Sequence, residues 1–112
     1  MLLFKERHIA PILTGAKTET RRVWKRCRAK VGAIHWAQTR MLDTTSRFAR
    51  VRILAEWHER LGAISAESAA REGGYSVTDF LNVFAEINGS LNLDQEVHVI
   101  RFEVVVPTEA TE

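Results

Sequence analysis

The segment Ala49-Arg50-Val51-Arg52-Ile53-Leu54-Ala55-Glu56-Trp57 most constrains the fold: its odd positions are apolar and its even positions charged, Leu54 alone excepted. Side chains alternate across a strand with period two, so this run predicts one face for a core and one for water. The run Glu96 to Val106 reads as a long closing strand. Shorter strands are predicted at Met1 to Phe4, at Thr18 to Trp24 on two β-branched threonines, a valine and a tryptophan, and at Ile34 to Met41 beyond a turn at Gly32. Helical signals interrupt them. A short helix is expected from His8 to Thr14, with Pro11 near its first turn and Gly15 as a left-handed stop. Ser65 caps a helix running to Glu72, ended by Gly73-Gly74. Ser76, supported by Asp79, caps another in which Val77, Phe80, Leu81, Phe84 and Ile87 form one apolar stripe before Gly89. Those aromatics read as core.

Four or five strands with two or three short helices give an α+β class. Without regular strand–helix alternation, a small closed or half-closed β-barrel with helices over its mouth is favoured over a doubly wound sheet. No repeat, low-complexity tract or Pro/Gly/Ser-rich linker divides the chain, so residues 1–106 read as a single domain and 107–112 as a flexible acidic tail. A chain of 112 residues holds one core, and 46% hydrophobic with 27% charged residues argues against disorder. Cys27 is the only cysteine, which excludes an internal disulfide, and the start lacks the apolar run of a signal peptide or membrane span. The expectation is a soluble cytoplasmic protein with no membrane partner.

The net charge of +2 conceals an asymmetry. Residues 1–56 carry 13 Lys/Arg against 4 Asp/Glu, residues 57–112 carry 3 against 10. Either the halves neutralise each other across one fold, or the basic half meets a polyanion such as a nucleic acid by displacing counterions from phosphates. Its densest stretch, Arg21 to Lys30, includes Arg21, Arg22, Lys25, Arg26 and Arg28.

Several familiar sites are excluded. His8, His35, His58 and His98 are widely separated and Cys27 stands alone, so no metal-ligand spacing appears; convergence in space stays open, but each histidine reads as a surface or hydrogen-bonded one, and neither a metal nor a cofactor is expected. Thr14-Gly15-Ala16-Lys17-Thr18 lacks the glycine pattern of a phosphate loop, and no Gly-x-Ser-x-Gly elbow occurs. What remains is Gly15-Ala16-Lys17-Thr18-Glu19-Thr20-Arg21-Arg22, dense in cations and hydroxyls, which on its residues alone also fits a solvated strand edge.

This segment resembles the Gly-x-Lys-x-x-Glu-x-Arg signature of the ASCH domain, a relative of the PUA RNA-binding fold, through Gly15, Lys17 and Arg22, with Thr20 in place of the glutamate. The likeness extends to the preceding helix, the Val31-Gly32 turn and Ala70-Arg71-Glu72-Gly73. It implies a small PUA-like β-barrel with short helices flanking a cleft that binds RNA or a modified nucleoside. Threonine at position 20 is also similar to small ASCH amidohydrolases that deacetylate acetylated cytidine, whose lysine, threonine and glutamate would be Lys17, Thr20 and Glu72. A ribonuclease is a third reading, for which no catalytic histidine pair is evident.

The amidohydrolase chemistry needs a base to take the threonine proton. A lysine serves only with its pKa lowered, which like-charge repulsion from Arg21 and Arg22 would supply if Lys17 is also poorly hydrated. Glu72 would relay a proton or hold the lysine in place, or else is a helix-end carboxylate solvated by water or paired with Lys17, and Arg22 would orient a carbonyl or phosphate. Lys17 and Thr20 have opposite strand parity, so Lys17 must lie in the turn before the strand for the two to meet. Among Trp24, Trp36, Trp57 and Tyr75, weighed as base-stacking residues, Trp24 shares parity with Thr20 and Arg22, and Tyr75 follows the double glycine at the cleft rim.

Overall fold

In the computed structural model, which describes residues 1–106, the elements are β1 (Leu2–Leu3), α1 (Ile9–Thr14), β2 (Glu19–Arg22), β3 (Ile34–Gln38), β4 (Arg47–Arg60), α2 (Ala66–Arg71), α3 (Val77–Asn88) and β5 (Glu96–Val104). The acidic tail expected over 107–112 lies outside the described residues. Local chemistry sets the helix ends. Ser65 and Ser76 accept hydrogen bonds from the backbone N–H groups of Ser68 and Asp79, caps worth about 1 kcal/mol each. Gly15, at φ 85°, turns the chain out of α1 in a conformation that an L side chain resists.

The strands form one sheet in the order β1-β3-β4-β5-β2, curled into a half-barrel. β1 runs parallel to β3 and the other pairs are antiparallel. β2 is shorter than Thr18 to Trp24, leaving Val23 and Trp24 beyond the sheet edge. β3 stops at Gln38 rather than Met41, where the pairing with β4 shifts register and the Gln38 side chain donates to the Arg40 carbonyl at 2.8 Å.

Leu54, the exception in the alternating run, sits at a bulge. The β4–β5 register shifts between Ile53 and Ala55, so Leu54 has no partner across the ladder and is 43% exposed. This corrects the single-core-face reading of that strand. Before the bulge, Val51 and Ile53 pack with Leu2, Phe4, Ile12, Ile100 and Phe102. After it, the odd positions turn to the opposite face, where Trp57 packs with Val97, Val99 and the α2–α3 side chains Ala69, Phe80 and Phe84. Both faces of the sheet are therefore covered, and Val97 to Ile100 on β5 are all buried. Each fully buried aliphatic or aromatic side chain contributes about 2 kcal/mol of transfer free energy. Among the described residues no helix is long and apolar enough to cross a membrane.

Candidate functional site

Because β2 is a sheet edge, the side chains of both its faces reach a cleft of about 370 Å³ that opens between this strand and α3. Phe4, His8, Lys17, Thr20, Arg21, Arg22, Trp24, Glu72, Tyr75, Phe80 and Phe84 are among the lining residues.

Lys17 precedes β2. Its backbone N–H donates to the Pro11 carbonyl at 2.9 Å, and the next N–H, that of Thr18, donates to the Arg71 carbonyl at 2.7 Å. The segment between α1 and β2 is thereby sewn to the end of α2, and the parity conflict with Thr20 disappears. Lys17 Nζ donates to the Glu72 carbonyl at 2.7 Å, to Glu72 Oε1 at 3.0 Å and to the Glu19 carbonyl at 3.0 Å. All three ammonium hydrogens have acceptors. Burial holds the Lys17 pKa below the ordinary lysine range, opposed by the Glu72 charge, and repulsion from Arg22 and Arg21 is the smaller contribution.

Arg21 continues this network. Its Nη1 donates to Glu72 Oε2 at 2.9 Å and to Glu19 Oε1 at 3.2 Å, and its Nη2 donates to Glu59 Oε2 at 2.7 Å. Glu19 Oε2 in turn accepts from Arg101 Nη2 at 2.8 Å. Burial alone would lower the Arg21 pKa, but the bonds and charges of Glu59 and Glu72 outweigh it and raise it. Three carboxylates thus neutralise Lys17, Arg21 and Arg101 behind the cleft, so the Arg21 guanidinium is committed to the protein rather than presented to a ligand.

Arg22 differs. Its Nε donates to Thr20 Oγ1 at 3.0 Å and its guanidinium stacks over the Phe4 ring, 4.8 Å from the centroid. Among the described residues no carboxylate forms an ion pair with it. Burial pushes its pKa down to about 10, which leaves it cationic at neutral pH. On the same wall His8 Nε2 and the Tyr75 hydroxyl are hydrogen-bonded at 3.1 Å. Burial, followed by the charges of Lys17, Arg7 and Arg22, lowers His8 to about 4, so it is neutral at neutral pH. Burial also raises the Tyr75 phenol.

Lys17, Thr20 and Glu72 therefore converge on one cleft, joined there by Arg22, Trp24 and Tyr75. Lys25, Arg26 and Arg28 do not line it; they lie exposed in the irregular segment beyond β2. Trp36 is elsewhere, beneath the guanidiniums of Arg47 and Arg50, and Trp57 lies under Arg101. Sequence reasoning missed His8, Glu19 and Glu59. A signal for Glu19 was present, since Lys17, Glu19 and Arg21 alternate in charge at period two. Phe80 and Phe84, expected as core, are core and cleft wall at once.

The chain has the α+β fold of the ASCH domain. It is similar to the ASCH domain from Lactobacillus crispatus, with a TM-score of 0.68 at 15% identity over 86% of this chain and 69% of that one. A DUF984 protein from Enterococcus faecalis matches with a TM-score of 0.70 at 17% identity, over 93% and 74% of the two chains. A mutant form of the ZmASCH protein from Zymomonas mobilis gives a TM-score of 0.64 at 15% identity, over 91% and 66%. In sequence, no family model and no curated protein matches.

Proposed function

We propose that this chain binds a nucleoside-like ligand, either free or as an unstacked base of single-stranded RNA, in the cleft beside β2. The observation that carries this reading is Arg22, a cationic fork on the cleft wall with no carboxylate partner among the described residues, while its neighbours Lys17 and Arg21 are neutralised. A half-buried guanidinium of this kind is best satisfied by a carbonyl or phosphate oxygen from outside. The cleft volume of about 370 Å³ suits a small molecule or one extruded base rather than a helix. Trp24 and Tyr75 supply aromatic surface for a planar ring.

Titration with acetylated cytidine, cytidine and a single-stranded RNA, followed by tryptophan fluorescence and calorimetry, tests the reading. Saturable one-to-one binding of a nucleoside with little salt dependence supports a free ligand. RNA affinity that falls steeply with salt supports a base held with its flanking phosphates. Saturation by none of the three refutes the proposal.

A second reading, an amidohydrolase acting on acylated nucleosides, is favoured by the convergence of Lys17, Thr20 and Glu72 on this cleft. In it the Thr20 hydroxyl attacks the acyl carbonyl, the nucleoside amine leaves with a proton, and water releases the acyl group from Thr20. The geometry sets a condition on that chemistry. With all three hydrogens bonded, Lys17 must lose a proton and a hydrogen bond before it accepts the Thr20 proton, and both Glu72 oxygens are already held by cations. Binding without turnover needs no such rearrangement and ranks first. Deacetylation that Thr20→Ala abolishes would reverse the ranking.

A further inference from the structure

A second constellation lies on the sheet beside the cleft. His58 and His98 stand directly opposite each other on β4 and β5, their ring centroids 4.2 Å apart. Glu56, two residues before His58, has the same strand parity, and its Oε2 is 3.3 Å from both His98 Nδ1 and His58 Nε2. The loop after β2 brings Cys27 to them. One donor atom from each of Cys27, Glu56 and His98 lies within 4.8 Å of the other two.

We propose that Cys27, Glu56 and His98 bind one borderline divalent transition-metal ion, zinc being the best match, with a water molecule as fourth ligand and His58, whose Nε2 lies 3.3 Å from Glu56 Oε2, at the rim. A thiol, a carboxylate and an imidazole, with water in the fourth position, are a donor set of four-coordinate zinc. Ligand distances of about 2.0 to 2.3 Å require donors about 3.5 Å apart, a separation the Glu56–His98 pair already approaches. Cys27 closes the remaining gap of about 1 Å, and its segment is free of helix or strand constraints. On binding, the thiol releases its proton to solvent and the thiolate sulfur donates an electron pair to the metal. The Ala29 N–H, 3.3 Å from Cys27 Sγ, remains to stabilise that thiolate, while the present donation to the Ala29 carbonyl is given up. Spacing in the sequence conceals the site because strand pairing and a loop assemble it. His98 lies 5.7 Å, ring to ring, from Trp24, so an ion here would stiffen one wall of the cleft.

The test uses the full chain, freed of metal and titrated with zinc or cobalt(II) alone. One equivalent of cobalt(II) should give a thiolate charge-transfer band in the near ultraviolet and the intense visible bands of tetrahedral coordination. Cys27→Ser should abolish the charge-transfer band. His98→Gln should weaken zinc binding at least tenfold, and zinc should protect Cys27 from alkylation in the unaltered chain. His35→Gln, outside the cluster, should change none of these. Cobalt spectra without a thiolate band, zinc affinity unchanged in both Cys27→Ser and Glu56→Gln, or alkylation of Cys27 at the same rate with and without zinc would overturn the proposal. Because Cys27 and Glu56 are not fully buried, their variants keep the test valid should His98→Gln fail to fold.

Discussion

Replacing Glu72 by alanine removes the carboxylate that answers Lys17 Nζ at 3.0 Å and Arg21 Nη1 at 2.9 Å, with all three side chains buried. Stripping one partner from a buried ion pair costs about 3 to 5 kcal/mol, because the remaining charge stays desolvated. Lys17 keeps two carbonyl acceptors and Arg21 keeps Glu19 and Glu59, which places the loss near the lower bound, at about 3 kcal/mol. Over 112 residues the unfolding entropy is about 0.24 kcal/mol/K, so the midpoint should fall by about 13 °C. Urea unfolding followed by circular dichroism measures the free energy directly. The double variant Lys17→Met/Glu72→Leu should lose less than Glu72→Ala alone, since it removes the orphaned ammonium and leaves Arg21 paired. A Glu72→Ala protein within 1 kcal/mol of the parent, or a double variant less stable than Glu72→Ala, would refute the reasoning.

Three other outcomes follow from the cleft wall. His8 has a folded pKa of about 4 against 6.5 unfolded, so the unfolded chain binds more protons between those values; the stability His8 contributes is complete above pH 6.5 and is lost as pH falls toward 4. That loss is about 2 kcal/mol after allowance for solvent screening, and urea unfolding at stepped pH should show it absent from His8→Gln. Gly73→Ala should destabilise by about 1 to 2 kcal/mol and weaken nucleoside binding, since φ is +146° and the new Cβ would sit 3.2 Å from the Tyr75 ring. Gly74→Ala, at φ +84° with open space around its Cβ, should show the stability loss alone by thermal melting.

The helices were legible because their signals are local: the serine caps, the glycine stops and the three-and-four spacing of Val77, Phe80, Phe84 and Ile87 each act within a few residues. Strand β4 was legible from alternation and β2 from its β-branched residues, whereas β5, with Val97 to Ile100 all buried, carries no alternation to read. Leu54 shows where such a reading ends. It was visible as an exception, but only pairing with β5 shows that a bulge there turns Trp57 to the second core. The site was half legible. Lys17, Thr20, Arg22 and Trp24 are close in sequence, whereas Glu59, Glu72 and Arg101 reach them across the fold, and charge counting cannot tell which cation is left without a partner. Lys25, Arg26 and Arg28 added to the basic tally but sit outside the cleft, and Arg21 is spoken for by three carboxylates.

That last distinction between neighbouring arginines is most directly tested by measuring nucleoside affinity in Arg22→Ala and Lys25→Ala by calorimetry. A charge-assisted hydrogen bond is worth about 1.5 to 3 kcal/mol, so loss of the Arg22 fork should raise Kd by about tenfold to a hundredfold. Arg22→Lys should recover only part of that loss, while Lys25→Ala should leave Kd unchanged. An Arg22→Ala protein that is folded and binds within twofold of the parent would contradict the account.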